Sequence, residues 1–251
     1  MNKLLSASFV LAVASVTSLG YSQAPAQAPA STPAPAQAPA AAQPVAAPQP
    51  SSPQALQAKV AMCIGCHGIK GYQASFPEVY KVPMISGQSG KYIAAALNAY
   101  KTGDRKHPTM RGIAETLSEQ DMIEIGAYYE KHGQVEGARP VSDKPSREPN
   151  AQVAALLQKA ACASCHGANL SKPIDPTYPK LAGQHADYLF VSLKAYKIEN
   201  NPTVGRNNAV MGAIAKQFSN AELKVLSNYI GSLEGEMRTQ PESRFRAASN
   251  R

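Results

Sequence analysis

One five-residue string occurs twice in this chain and constrains its fold more than any other feature. It reads Cys-Ile-Gly-Cys-His at positions 63–67 and Cys-Ala-Ser-Cys-His at 162–166, and the two copies use all four cysteines. Two thiols at this spacing reach the two vinyl groups on one edge of a porphyrin, and the next histidine becomes the proximal iron ligand. The string therefore predicts two covalently bound haem c groups. The predicted thiols are Cys63, Cys66, Cys162 and Cys165, and the predicted proximal histidines are His67 and His166.

A zinc site and a thioredoxin-like dithiol are the other interpretations of a Cys-x-x-Cys pair. A zinc site needs further cysteine or histidine ligands at short spacing. The chain has no other cysteine, and its remaining histidines, His107, His132 and His185, do not pair up. A redox dithiol does not require a histidine after both pairs. Haem attachment is the interpretation that accounts for both copies of the string.

The N-terminal part of the chain divides into a leader and an arm. Lys3 precedes an apolar run, and the run ends near a small-residue cleavage signal, which predicts a signal peptide over residues 1–24 and export of the protein. The run is short for a membrane span, which needs about 20 mostly apolar residues, and an uncleaved anchor is the alternative. Residues 25–53 are almost wholly alanine, proline, glutamine and serine, which predicts a disordered, polyproline-like linker.

The rest of the chain contains an internal repeat. His67 aligns with His166, and a later block that begins at Pro83 aligns with one that begins at Pro179. The changes in spacing between these blocks fall between predicted helices, where insertions are tolerated. The predicted divisions are a first cytochrome domain over residues 54–140, a linker over 141–150, a second cytochrome domain over 151–236 and a basic flexible tail over 237–251.

Each copy of the repeat shows helical periodicity and no convincing alternation of the kind that strands show. Ser118 and Ser219 are each followed three residues later by an acid, which indicates a capping box at the start of a helix. The sequence therefore predicts an all-α fold. The predicted helices cover about residues 54–62, 91–101 and 118–133 in the first copy, and about 151–161, 185–197 and 219–231 in the second.

The repeat also selects the sixth ligand of each iron. Of the seven methionines, only Met110 and Met211 occupy equivalent positions, in predicted loops that follow each haem histidine. A thioether favours ferrous iron, so histidine and methionine together raise the reduction potential relative to two histidines. The predicted ligand pairs are His67 with Met110 and His166 with Met211.

His107 is the competing ligand of the first iron. It lies three residues before Met110, but its counterpart in the second copy is Asn208, so the symmetry of the repeat favours methionine. An iron with both axial positions filled by protein has no vacancy for oxygen or substrate, which predicts electron transfer and not catalysis. The sequence contains no recognisable hydrolase or phosphate-binding motif that points to an enzyme.

Two further sets of paired residues have open interpretations. Pro83 and Pro179 either offer a backbone carbonyl to the ring of each haem histidine or form loop turns. The second set either reaches haem propionates or caps and packs helices. Its members are Gln88, Tyr92, Gln184 and Tyr188.

These features resemble a dihaem class I cytochrome c of the cytochrome c4 type. The resemblance covers about residues 54–236 and rests on the paired haem strings, on Pro-x-x-x-Gly-Gln at 83–88 and 179–184, and on the methionine after each. It implies two tandem cytochrome c domains, each with three to five helices around one covalent haem. It also implies a periplasmic carrier of single electrons between respiratory donors and an acceptor such as a terminal oxidase. The second copy departs from the family pattern because it lacks a counterpart of Pro108.

The net charge of +8 does not indicate a nucleic-acid partner. Lysine and arginine exceed aspartate and glutamate by 10 to 8 in residues 54–140, by 8 to 6 in 151–236 and by 4 to 1 in 237–251. The tail thus carries much of the excess, and it is interpreted either as a solvated, disordered segment or as a contact for a membrane surface or an acidic partner. Redox proteins are the predicted partners. The alternative functions are the cytochrome subunit of a periplasmic dehydrogenase complex and a dihaem redox enzyme with one open iron.

Overall fold

The computed structural model describes residues 50–134, 137 and 141–241, and these residues are mostly helical. The predicted signal peptide and nearly all of the predicted arm lie outside the described residues. The first copy contains α1 (Pro53–His67), β1 (Gln73–Ala74), β2 (Tyr80–Lys81), α2 (Gly90–Thr102), β3 (Arg105–Lys106), α3 (Pro108–Glu115) and α4 (Glu119–His132). The second contains α5 (Ala151–Lys159), α6 (Cys162–His166), α7 (Ala186–Ala195), β4 (Gly205–Arg206), α8 (Ala209–Ala215) and α9 (Asn220–Gly231).

The strands of the described residues are two-residue pairs, so the prediction of an all-α fold is confirmed. Strands this short are too brief for an alternating pattern to appear in the sequence. None of the helices in these ranges combines the length and the apolar character that a membrane span requires.

Both predicted capping boxes are present. The Ser118 hydroxyl accepts a hydrogen bond from the backbone N–H of Asp121 at 3.2 Å, and the Asp121 carboxylate accepts from the Ser118 N–H at 2.9 Å. Ser219 and Glu222 repeat this exchange at 3.2 and 2.7 Å. Each box satisfies two backbone donors that the first helical turn leaves free. The sequence therefore predicts the starts of α4 and α9 correctly.

The helix that leads into the haem string differs between the copies. In the first copy, α1 continues through the whole string to His67, beyond its predicted end. In the second copy, the backbone of Ala161 adopts a left-handed conformation with φ of 47°, and the string forms the separate short helix α6. A left-handed residue cannot continue a right-handed helix, so α5 ends earlier than predicted.

Each copy has its own apolar core. The first core joins α1, α2 and α4, and the second joins α5, α7 and α9. The most deeply buried members of the first core are Val60, Ile125, Tyr129, Leu117 and Met122. Those of the second are Ala182, Leu223, Leu170, Leu226 and Phe218.

Two glycines let the backbones of α2 and α4 meet. A Cβ added to Gly126 would lie 2.3 Å from the carbonyl oxygen of Gly90, and a Cβ added to Gly90 would lie 3.0 Å from Gly126. The first distance is far below van der Waals contact, so any larger residue at 126 forces the two helices apart. The close packing of α2 against α4 therefore requires glycine at position 126.

We expect Gly126→Ala to destabilise the protein by about 1–3 kcal/mol, the usual range for overpacking a close contact. Denaturant unfolding measures the effect. Gly90→Ala is the graded comparison, and it should cost less because its closest contact is longer. Equal stability of the wild type and Gly126→Ala would contradict this close approach.

The two copies meet through like segments. Strands β3 and β4 pair antiparallel, with Arg105 opposite Arg206, and these residues are counterparts in the repeat. Beside them, the Asn207 N–H donates to the carbonyl oxygen of Asp104 at 2.6 Å. The contact between copies is therefore approximately symmetric.

The chain after α9 returns to the first copy. The Arg238 N–H donates to the carbonyl oxygen of Ser86 at 2.8 Å, and these two residues form an isolated antiparallel bridge. Met237 is only 3% exposed. This part of the chain thus differs from the predicted flexible tail, because an apolar side chain in it finds a buried position. Residues 242–251 lie outside the described residues.

Candidate functional site

Both predicted haem histidines point one ring nitrogen at a proline carbonyl. His67 Nδ1 lies 2.7 Å from the oxygen of Pro83, and His166 Nδ1 lies 2.9 Å from the oxygen of Pro179. With the proton on Nδ1, each ring donates this hydrogen bond and leaves Nε2 free to bind a metal. A histidine that binds a metal usually donates its other ring N–H to a carbonyl or carboxylate in this way. The carbonyl role considered for the two prolines is therefore confirmed.

The two histidines are in the neutral form that iron requires. Burial lowers the pKa of His67 and of His166, although the bonds to the proline carbonyls act in the opposite direction. A neutral imidazole with a free nitrogen is a metal ligand, whereas a charged one is not.

The four cysteines occupy partly buried positions, and none of them is paired in a disulfide. Burial raises the pKa of Cys63 to about 11, and it also raises that of Cys162. Before haem attachment, both side chains are therefore protonated thiols at neutral pH. Cys63 packs against the first core and Cys162 against the second, so each string is anchored to the core of its own copy.

Met110 and Met211 lie in the first turns of α3 and α8, and not in loops as the sequence predicts. These helices have only eight and seven residues, too few for a clear periodicity. Pro108 at the start of α3 was the signal for a helix, since proline is favoured in a first turn. Both methionines are half-buried, and Met110 packs against the same core as Cys63.

His107 and Asn208 have the same structural role. His107 Nδ1 accepts a hydrogen bond from the Met110 N–H at 3.3 Å, and Asn208 Oδ1 accepts one from the Met211 N–H at 2.9 Å. Each side chain therefore caps the helix that carries the methionine. This common role explains why a histidine in one copy aligns with an asparagine in the other.

Two arginines and four tyrosines from both copies form a partly buried cluster, which we call the arginine–tyrosine cluster. The Arg105 guanidinium donates to the hydroxyls of Tyr92 and Tyr188. The Arg206 guanidinium donates to Tyr188 at 3.2 Å. The rings of the remaining tyrosines lie against the guanidinium groups, 4.6 Å from Arg105 and 5.4 Å from Arg206. The members of the cluster are Arg105, Arg206, Tyr92, Tyr100, Tyr188 and Tyr196.

This cluster contains no carboxylate. Within the described ranges neither arginine forms an ion pair, and the buried Nε of Arg105 has no hydrogen-bond partner. Burial raises the pKa of Tyr188, but the adjacent Arg105 and Arg206 outweigh burial and lower it to about 7. Buried cations need a counter-ion. Haem carries two propionates, so the residues present fit this group.

Sequence reasoning singled out Tyr92 and Tyr188 but missed Arg105 and Arg206. The signal was available, because the two arginines are counterparts in the repeat. Gln88 and Gln184 contact the opposite copy of the repeat, which supports the packing role considered for them.

Comparison with known proteins gives consistent results. The family model for cytochrome c matches residues 151–234. The chain is 31% identical to cytochrome c4 of Stutzerimonas stutzeri over 190 residues, which cover 72% of this chain and 88% of that protein. It is 26% identical to a thiosulfate dehydrogenase electron acceptor of Thiomonas intermedia over 214 residues, 80% of this chain and 88% of that one. The crystal structure of reduced cytochrome c4 from Pseudomonas stutzeri superposes with a TM-score of 0.50 at 27% identity, covering 72% and 98% of the two chains.

Proposed function

Because the chain belongs to the cytochrome c4 family, whose members are dihaem electron-transfer proteins, we propose that it is a periplasmic carrier of single electrons. The predicted resemblance and the two covalent haem c groups are confirmed, and the Cys-x-x-Cys-His strings fit their attachment. The proposed donor is a respiratory dehydrogenase or quinol-oxidising complex, and the proposed acceptor is a terminal oxidase or a reductase.

The observation that carries this proposal is the matched environment of the two sites. Each histidine has its outer nitrogen fixed by a proline carbonyl, and each copy presents a methionine from the first turn of a capped short helix. We infer the ligand pairs His67 with Met110 and His166 with Met211. When bound, haem iron supplies a reversible one-electron couple.

The residues of the chain have separate roles in this proposal. The cysteine thiols hold the porphyrin edge, and the proline carbonyls orient the imidazoles and raise their basicity. The methionines would be the second protein ligand of each iron and would exclude water and small ligands. The arginine–tyrosine cluster neutralises propionates, which keeps charged carboxylates stable in a buried place.

We expect Arg105→Leu to lower the midpoint potential of a haem, because a nearby positive charge favours the reduced iron. One charge at about 10 Å with an effective dielectric constant of about 20 changes the ratio of oxidised to reduced haem roughly tenfold. An optical redox titration measures the shift. The exposed Arg147 gives the control variant Arg147→Leu, which should leave both potentials unchanged. Unaltered potentials in Arg105→Leu would contradict the assignment.

The carrier function is tested with the haem-loaded protein. The reduced protein should be reoxidised by membranes that contain a terminal oxidase, in a second-order reaction, and it should not bind carbon monoxide at neutral pH. Failure of reoxidation would refute the oxidase as acceptor. Carbon monoxide binding would instead favour a dihaem enzyme with an open iron.

A second candidate function is the electron-accepting subunit of a dehydrogenase complex. It is favoured by the similarity to two relatives, the thiosulfate dehydrogenase electron acceptors of Thiomonas intermedia and of Stutzerimonas stutzeri. Purification from the periplasm under mild conditions separates the two proposals. A catalytic subunit that purifies in constant proportion with the cytochrome supports the complex, whereas a monomeric cytochrome supports the carrier.

A further inference from the structure

Two buried glutamines bind the backbone of the opposite copy in a reciprocal way. Gln184 Oε1 accepts from the Met84 N–H at 3.0 Å, and its Nε2 donates to the Met84 carbonyl at 2.9 Å. Gln88 Oε1 accepts from the Lys180 N–H at 2.9 Å, and its Nε2 donates to the Lys180 carbonyl at 3.0 Å. Each glutamine is only 4% exposed. The side-chain amide thus pairs with a single residue of the other copy.

The residues that the two glutamines bind directly follow the prolines that contact the haem histidines. Met84 directly follows Pro83, so the peptide group between them accepts from His67 at its oxygen and donates to Gln184 at its N–H. In the same way, the Pro179–Lys180 peptide group accepts from His166 at its oxygen and donates to Gln88 at its N–H. Each haem histidine is therefore one peptide group away from a glutamine of the opposite copy.

A single sulfur atom joins the two glutamines. Gln88 Nε2 lies 3.2 Å and Gln184 Nε2 lies 3.5 Å from Sδ of the buried Met237. Each glutamine oxygen also accepts from the next backbone N–H, that of Ser89 at 2.9 Å and that of His185 at 3.0 Å. These contacts fix both side chains, so the arrangement is rigid. We call Gln88, Gln184 and Met237 the glutamine bridge.

We propose that each glutamine of the bridge is a positioning residue for the haem histidine of the opposite copy, so that the bridge sets the two haem potentials across the contact between copies. The proposal rests on the proposed histidine ligation. A hydrogen bond accepted from a peptide N–H polarises the carbonyl of the same peptide group and makes it a better acceptor. A stronger bond at Nδ1 makes the imidazole a more basic ligand, which favours ferric iron.

The direction of the effect follows. Gln184→Leu removes the acceptor at Met84, weakens the hydrogen bond that His67 Nδ1 donates to the Pro83 carbonyl and raises the potential of the first haem. Gln88→Leu acts through Lys180 and raises the potential of the second haem. We expect a roughly threefold to tenfold change in the oxidised-to-reduced ratio of the opposite haem, where tenfold corresponds to about 59 mV for one electron. The haem of the variant's own copy should change much less.

The experiment titrates the haem-loaded full chain and assigns each potential to its haem by the NMR signals of the haem methyl groups. A second readout is the Nδ1 proton resonance of His67 in the reduced protein, which should move upfield in Gln184→Leu as its hydrogen bond weakens. Gln184→Glu keeps an acceptor at Met84 and adds negative charge, so it should shift the first haem in the opposite direction.

Asn207→Ala is the matched control. Its side chain also donates across the contact, to Asp104 at 3.2 Å, but does not touch either proline peptide. It should move neither potential. A shift of both haems together, a shift confined to the variant's own copy, or equal signs for the leucine and glutamate variants would overturn the proposal. Absence of the sulfur-to-iron absorption band in the wild type would instead refute the proposed methionine ligation.

Discussion

Replacing Met110 with alanine is expected to lower the midpoint potential of the first haem by on the order of 0.1 V or more, within the range of about 0.8 V that axial ligands span. The thioether stabilises ferrous iron, and its loss admits water or another hard ligand that favours the ferric state. The sulfur-to-iron absorption band of that haem should disappear, and the reduced iron should bind carbon monoxide. Optical titration of the purified protein measures all three changes.

The repeat supplies the control for this variant. Met62 is 45% exposed, and its counterpart in the second copy is Ala161, so Met62→Ala should leave the spectrum and the potential unchanged. Met211→Ala should reproduce the effect of Met110→Ala on the second haem.

An unchanged ferric spectrum in Met110→Ala would show that another residue binds the first iron. His107→Ala then becomes decisive. If His107 is only the helix cap that the structure shows, its loss weakens α3 by about 1 kcal/mol and leaves the ligand spectrum in place. A lost or altered axial ligand in that variant would identify His107 as the ligand.

The second large effect concerns haem removal. The chain without haem, made by replacing Cys63, Cys66, Cys162 and Cys165 with serine, is expected not to fold cooperatively. The protein has no tryptophan and only 6% aromatic residues, so each copy has a small core. Small domains usually need a metal, disulfides or a cofactor to reach a net stability of about 5 kcal/mol or more.

The arginine–tyrosine cluster adds to this requirement, because two partly buried cations remain without a carboxylate counter-ion when propionates are absent. Thermal unfolding followed by circular dichroism tests the expectation. The single-copy variant with serine at 63 and 66 should lose the cooperative transition of its first copy and keep haem in the second. A haem-free chain that melts cooperatively at a temperature near that of the loaded protein would contradict the argument.

The sequence was most informative where structure depends on local chemistry. The capping boxes at Ser118 and Ser219 set two helix starts, and the Cys-x-x-Cys-His strings identify the haem sites, because each signal is contained in a few consecutive residues. The short helices α3 and α8 escaped prediction because they are shorter than the window in which periodicity becomes visible.

The contacts between the copies also could not be predicted from the sequence. The alignment makes Arg105 and Arg206 counterparts, but it does not reveal that counterparts touch one another. The reciprocal bonds of Gln88 and Gln184 depend on the same tertiary arrangement. A buried position for Met237 was equally hidden, since the basic residues that follow it dominate the composition of that segment.

The place of Met237 along the chain has a consequence for the order of assembly. A polypeptide is synthesised from its amino terminus, so this sulfur becomes available only after both haem-bearing copies exist. Until then the amide groups of Gln88 and Gln184 lack the acceptor that they share in the finished molecule. The contact between the two copies is therefore completed last. A chain that ends at residue 236 would carry both haem attachment strings but would lack the sulfur atom that both glutamines contact.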